Sequence, residues 1–158
     1  MEADLAARVV EALSKRGQTV ATAESCTGGL LGASITAIPG SSSVYPGGVI
    51  SYSCAVKARL LGVSGADLQK LGAVSEEVAR QMAEGVRKTI PADWGIGITG
   101  LAGPDGDGSG KPIGLVYIAI ANQNRTDCME CHFSGSRSEV RASAAQKALC
   151  ELLALLAE

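Results

Sequence analysis

The chain has 158 residues, 46% of them apolar, 19% charged and only 3% aromatic, with a formal net charge of -2. That is enough for one domain with its own core and too little for two ordinary ones, in a composition far from the disordered regime. The slight negative charge and the scarcity of stacking rings argue against nucleic-acid binding, and no apolar run reaches the roughly 18–20 residues that span a bilayer.

Taken in chain order, Leu5, Val9, Val10 and Leu13 form a helical stripe that stops near Gly17. Its amphipathic pattern and early acids are unlike a secretory signal, so the cytoplasm is the expected location. Thr19 to Ala23 is a β-prone run leading into the segment AESCTGG, and Leu30 to Ile38 reads as a short helix ended by Pro39-Gly40. After the serines Ser41 to Ser43, Val44 to Tyr52 resembles a strand, and Pro46-Gly47-Gly48 points to an irregular start or a sheet edge. Ala55 to Leu61 and Ala66 to Leu71 read as short helices. Ser75 is an N-cap with Glu76 and Glu77 in the first turn, opening a helix to about Thr89, before Pro91.

Trp94 to Thr99 is a strand that runs into GLAGPDGDGSGKPIG, Gly100 to Gly114, which is too glycine-rich to be regular. Leu115 to Ala121 is an apolar strand, with Thr126 to Phe133 as its neighbour. Ser136 and Glu139 make a capping box for a last helix to about Ala157. Helices fall before, between and after the strands, so the expected architecture is a single α/β domain over 1–158. It should be a three-layer α/β/α sandwich around a mixed β-sheet.

Chemistry concentrates at AESCTGG. A strand-to-helix turn points unpaired N–H groups at whatever sits there, which suits an anion, a developing oxyanion or a nucleophile. Ser25 could attack an electrophile held against the backbone of Cys26, Thr27, Gly28 and Gly29; equally, Ser25 or Thr27 could simply cap the helix. The segment lacks the lysine of a Walker loop and does not fit a dinucleotide fingerprint or a G-x-S-x-G elbow.

A serine nucleophile needs a base. His132 is the only histidine. A lysine serves if burial lowers its pKa, and Lys57, among Ala55, Val56, Leu60 and Leu61, is the candidate beside the reading of a surface lysine. Cys26 is a rival nucleophile, since a thiol at a helix start can have a depressed pKa. The five cysteines are odd in number and irregularly spaced, most simply free thiols in a reducing compartment. The CMECH run fits the c-type haem attachment pattern, but with no export signal and with strand alternation putting Cys128 and Cys131 on opposite faces, neither haem nor zinc is expected there. The acids of the Gly100–Gly114 loop lack the spacing of a calcium loop. Arg137 and Arg141, four apart on one helix face, could grip a phosphate.

Together AESCTGG, YSCAVKARLLGV, GITGLAGPDG with KPIGLVYIA, and HFSGSRSEVR resemble the CinA C-terminal-domain family, across essentially the whole chain. The larger members carry a further N-terminal domain, so this chain looks like the stand-alone form. The resemblance implies an α/β/α fold and a nicotinamide-nucleotide amidohydrolase, active in pyridine nucleotide salvage. Such an enzyme converts nicotinamide mononucleotide (NMN) to nicotinate mononucleotide and ammonia. It implies Ser25 as nucleophile, Lys57 as base and Tyr52 beside it. Ser42, Thr99 with Gly100, and Arg137 or Arg141 are then substrate-binding positions. Cys54 stands where asparagine is common in the family. The reaction requires neither metal nor cofactor, and Tyr52 would orient Lys57 or relay protons.

The competing expectations are a catalytically inactive nucleotide-binding or regulatory module of the same fold, and a cysteine hydrolase using Cys26. The expected partner is the small nucleotide alone, with no nucleic acid or membrane. A homo-oligomer is expected as well, because Leu149, Leu152, Leu153, Leu155 and Leu156 offer more apolar surface than one helix face needs.

Overall fold

The computed structural model of the chain describes residues 2–158. Its helices are α1 (Glu2–Arg16), α2 (Leu30–Thr36), α3 (Cys54–Leu61), α4 (Gly65–Leu71), α5 (Glu76–Thr89) and α6 (Arg137–Leu156). Its strands are β1 (Val20–Glu24), β2 (Gly47–Ile50), β3 (Trp94–Gly100), β4 (Leu115–Ala121) and β5 (Thr126–His132), and Ser41–Ser43 form a 3-10 turn. The sheet order is β2-β1-β3-β4-β5. β2, β1 and β3 run parallel, while β4 and β5 add antiparallel hairpin strands.

The two sheet faces differ in side-chain size, and that difference sets the layers. Val20, Trp94, Ile96, Ile98, Val116, Ile118 and Ile120 project to one face, where Leu13 of α1, Leu31 and Ile35 of α2, and Leu149 and Leu152 of α6 close the main core. On the other face the alternate positions are small: Ala21, Ala23, Gly95, Gly97, Ala119 and Ala121. Helix α5 lies almost on the backbone there. A Cβ at Gly97 would stand 2.6 Å from the Ala79 carbonyl oxygen and 2.7 Å from the Ala83 nitrogen. Gly85 of α5 meets the Leu61 carbonyl just as closely, which seats α3 over the ends of the parallel strands. Scarce aromatics and abundant small residues thus have a packing purpose: a helix can approach a sheet this closely only where no side chain intervenes.

Local signals act where the sequence places them. Ser75 Oγ accepts from Val78 N at 3.2 Å. At α6, Ser136 Oγ accepts from Glu139 N at 3.2 Å, and Glu139 Oε1 accepts from Ser136 N at 3.0 Å. The strand expected over Val44 to Tyr52 is shorter, Gly47–Ile50, and lies at the sheet edge. Leu149, Leu152 and Leu156 are buried, and Leu153 and Leu155 are partly buried against the same core, so most of the apolar surface at the α6 end is used within the chain. Among the described residues, no helix is long and apolar enough to cross a membrane.

Candidate active site

The parallel strands deliver their C-terminal ends to one edge of the molecule. β1 and β3 are paired there through Glu24 and Ile98, and Ser25 N donates to the Ile98 carbonyl at 3.0 Å. The chain then reverses into α2 through Gly28 and Gly29, at φ 59° and 103°, backbone conformations that glycine adopts without strain. Ser25 therefore sits at a fixed point on a rigid strand end, nearly buried at 8% exposure.

Lys57 arrives from the opposite side. Ser53 caps α3 by accepting from Val56 N at 3.2 Å, and one turn later Lys57 points inward, only 1% exposed. Its Nζ lies 2.8 Å from Ser25 Oγ, donates to the Ser51 carbonyl at 2.6 Å and stands 3.5 Å from the Tyr52 carbonyl. Among the described residues no carboxylate pairs with it. Burial accordingly pushes its pKa below the ordinary lysine value, the weak pull of nearby thiols notwithstanding.

A cavity of about 250 Å³ opens over this pair. Ser25, Cys26 and Lys57 line its floor, and Thr99 to Gly103 form one wall. Tyr52 and Arg137 border the mouth, and Asp105 and Asp107 reach in from the glycine-rich loop. That loop is pinned by Lys111, whose Nζ donates to the Leu71 carbonyl at 2.8 Å and also to that of Val74. Two larger open hollows, of about 450 and 420 Å³, lie around Arg87 and Asn122–Arg125 at the other end of the sheet. Neither contains a nucleophile paired with a base, so volume does not locate the chemistry here.

The other expected site residues divide. Thr99, 1% exposed, lines the cavity and donates its hydroxyl to the Ala73 carbonyl at 2.8 Å, and Gly100 follows it in the wall. Arg137 also lines the cavity. Its Nη1 donates to the Gly103 carbonyl at 2.7 Å and its Nη2 to the Tyr52 hydroxyl at 2.9 Å. Arg141, one turn further along α6, faces the turn behind Ser25: its Nε donates to the Cys26 carbonyl at 3.0 Å and its Nη2 to that of Thr27 at 2.9 Å.

Several expectations are corrected. The Tyr52 side chain is 63% exposed and its hydroxyl meets Arg137, so its phenol does not orient Lys57. The Ser51 carbonyl does that instead. The cradle imagined over Cys26, Thr27, Gly28 and Gly29 shrinks to Cys26: Thr27 is fully buried, Gly28 N donates to the Ser25 carbonyl at 3.1 Å, and Gly29 lies outside the cavity. The first amides of α2 are also occupied, because Leu31 N and Gly32 N each donate to the Glu24 carboxylate at 2.9 Å.

Ser42 is exposed at the far end of β1. The neighbouring Val44 carbonyl accepts from Val20 N, at the start of the strand whose end carries Ser25. A five-residue strand separates the two by about 17 Å. The Cys26 thiol is not activated; burial pushes its pKa up to about 11. Cys128 and Cys131 do fall on opposite faces, against Ala119 and Val116 respectively. His132 is an exposed partner of Glu130 at 2.9 Å.

Sequence reasoning passed over Ser51 and Glu24. Glu24 left a readable signal, an acid closing the β-prone run Val20–Glu24, whose residues the structure buries. Ser51 left none, since its contribution is a carbonyl oxygen.

These features define a three-layer α/β/α domain with a buried serine–lysine pair at the carboxyl ends of its parallel strands. The chain belongs to the CinA C-terminal domain family, whose model matches residues 2–156. A CinA-like protein of Synechococcus sp. is 51% identical over 157 residues, covering 98% of this chain and 38% of that protein. Another from Nostoc sp. is 58% identical over 117 residues, covering 74% and 28%. The match thus spans only 28–38% of the length of these relatives. Among solved structures, a competence-damaged protein (CinA) superfamily protein from Klebsiella pneumoniae superposes with TM-score 0.97 at 35% identity, covering 99% of this chain and 98% of that one. A competence/damage inducible protein from Agrobacterium tumefaciens gives 0.94 at 37%, covering 99% and 96%.

Proposed function

We propose that the chain hydrolyses the carboxamide of nicotinamide mononucleotide, giving nicotinate mononucleotide and ammonia, with Ser25 as nucleophile and Lys57 as base. The observation that carries this reading is the 2.8 Å contact between Lys57 Nζ and Ser25 Oγ in a setting that favours the neutral amine. A neutral lysine amine has two hydrogens and one lone pair. With the hydrogens turned to the Ser51 and Tyr52 carbonyls, the lone pair is left to accept the Ser25 hydroxyl proton.

The steps balance as follows. Lys57 takes the hydroxyl proton while Ser25 Oγ attacks the amide carbon, and the carbonyl oxygen becomes an oxyanion. Lys57 then protonates the amide nitrogen, the C–N bond breaks, and ammonia leaves an acyl-serine ester. Water, deprotonated by Lys57, attacks that ester; nicotinate mononucleotide departs and the proton returns to Ser25. Each good hydrogen-bond donor to the oxyanion contributes about 3–4 kcal/mol to the barrier reduction.

A cavity of about 250 Å³ suits a mononucleotide better than a dinucleotide, since pockets for drug-sized ligands run from about 300 Å³ upward. Its lining is also bipolar. Arg137, with only neutral hydrogen-bond partners, is free to meet a phosphate, and Asp105 and Asp107 suit the cationic pyridinium ring. Incubating the protein with NMN and following ammonia tests the proposal. Wild type releases it and Ser25→Ala does not; equal release by both sinks the mechanism.

A further inference from the structure

Ser25 N is tied to the sheet, but the turn that follows, from Cys26 to Gly29, is held by few backbone bonds of its own. Gly28 and Gly29 have no Cβ to restrict them, and within the turn only two backbone bonds close it, Gly28 N to the Ser25 carbonyl and Leu30 N to the Thr27 carbonyl. A nucleophile needs its geometry held within about 0.5 Å. Two charged side chains of opposite sign grip the turn from outside, and neither lines the cavity.

Glu24, 2% exposed, places Oε1 on Leu31 N and Oε2 on Gly32 N, both at 2.9 Å, and so ties the first turn of α2 to the residue before the nucleophile. Gly32 leaves room beside this bond for the Tyr45 hydroxyl, from which a Cβ would stand 2.6 Å. Arg141 takes the two carbonyls that follow the nucleophile, through Nε to Cys26 and Nη2 to Thr27. A planar guanidinium on two successive carbonyls fixes both peptide planes, which a lysine ammonium cannot do. A Cβ at Gly28 would lie 3.3 Å from the same Nη2, so the turn is also sterically fitted to the arginine.

We propose that Glu24 and Arg141 act as a charge clamp on the nucleophile turn, as positioning residues that set the direction of Ser25 Oγ. This deepens the amidase reading and rests on it. The clamp also assigns the two arginines of α6 different work. Arg137 faces the substrate, whereas Arg141 spends its donors on the backbone. Glu24 likewise occupies the helix amides that would otherwise attract an anion.

The test compares wild type, Arg141→Ala, Arg141→Lys and Glu24→Gln in two assays: ammonia release from NMN, and the rate at which a fluorophosphonate phosphonylates Ser25 with loss of fluoride, read by intact mass. Arg141→Ala and Glu24→Gln are expected to lower both kcat and the phosphonylation rate about 100-fold, the cost of misplacing a reacting group by an ångström, with KM for NMN unchanged. Added ethylguanidinium restores part of both losses in Arg141→Ala, while Arg141→Lys, which keeps the charge and loses the fork, recovers little. Should Arg141→Ala melt below the assay temperature, Arg141→Lys carries the same comparison. Phosphonylation of the variants at the wild-type rate overturns the clamp, and so does a rise in KM at constant kcat. If wild-type Ser25 is phosphonylated but NMN yields no ammonia, the substrate reading fails and the phosphonylation rates still decide the clamp.

Discussion

Lys57→Met separates the chemistry of the dyad from the packing of its stem. Methionine is unbranched and flexible, so it fills the slot left by the buried lysine chain, whereas alanine would open a cavity. The substitution removes hydrogen bonds to Ser25 and the Ser51 carbonyl, each worth about 1 kcal/mol net. It also removes a buried amine whose protonated form is costly where it sits. These effects oppose each other, so the change in stability should stay within about 2 kcal/mol. Activity behaves differently: loss of a general base costs about 100- to 10,000-fold, or about 3–5 kcal/mol of barrier.

The assay is ammonia release from NMN across pH, with thermal melts on the same samples. Burial lowers the folded-state pKa of Lys57 from 10.5, so kcat/KM for wild type should rise with pH along a limb centred below 10.5. The sign for stability follows. Between the folded pKa and 10.5 the unfolded chain binds more protons at this residue, so wild-type stability gains from rising pH in that window, and Lys57→Met lacks the gain. A variant that keeps more than about a tenth of wild-type kcat would refute the base assignment by the same scale. So would a limb centred at or above 10.5.

Cys26→Ala should keep kcat within about twofold, because a thiol with a pKa of about 11 is thiolate in only about one molecule in ten thousand at neutral pH. Iodoacetamide mapping should correspondingly find exposed Cys54 and Cys150 modified well before Cys26. Arg137→Ala should raise KM for NMN about 10- to 100-fold with a smaller effect on kcat, the value of one charge-assisted hydrogen bond in a partly buried site; steady-state kinetics read it. Gly97→Ala should cost about 1–3 kcal/mol in urea unfolding, since its methyl would press into the α5 backbone at Ala79 and Ala83.

How much of this was legible varies with the range of the interaction involved. The caps at Ser75 and at Ser136 with Glu139 are contacts over three residues, and the sequence shows both partners side by side. Alternation in β5 placed Cys128 and Cys131 on opposite faces by the same local rule. Tyr52 and Ser42 went differently. Tyr52 stands close to Lys57 in sequence, but the chain leaves the sheet after Ile50, which turns the phenol outward and brings the Ser51 carbonyl to the amine instead. Ser42 sits one connection from Ser25, yet α2 carries the chain back between them to the opposite end of the sheet. The leucines of α6 were read as surplus surface because the width of the core they cover is set by α1, α2 and the sheet together.

By itself the sequence determined the layered architecture, because periodicity and capping are properties of neighbouring residues, and the family, through the resemblance of four short motifs. Ser25 and Lys57 were candidates whose roles only this resemblance implied. The tertiary structure alone decided the state of each charged group. Lys57 loses its solvation because α5 lies flush against glycine and alanine and holds α3 over the strand ends. Arg141 and Arg137, nearly interchangeable on one helix face, diverge because one turn of helix carries them to different neighbours. Burial and partner choice are sums over many distant contacts, and those exist only once the chain is folded.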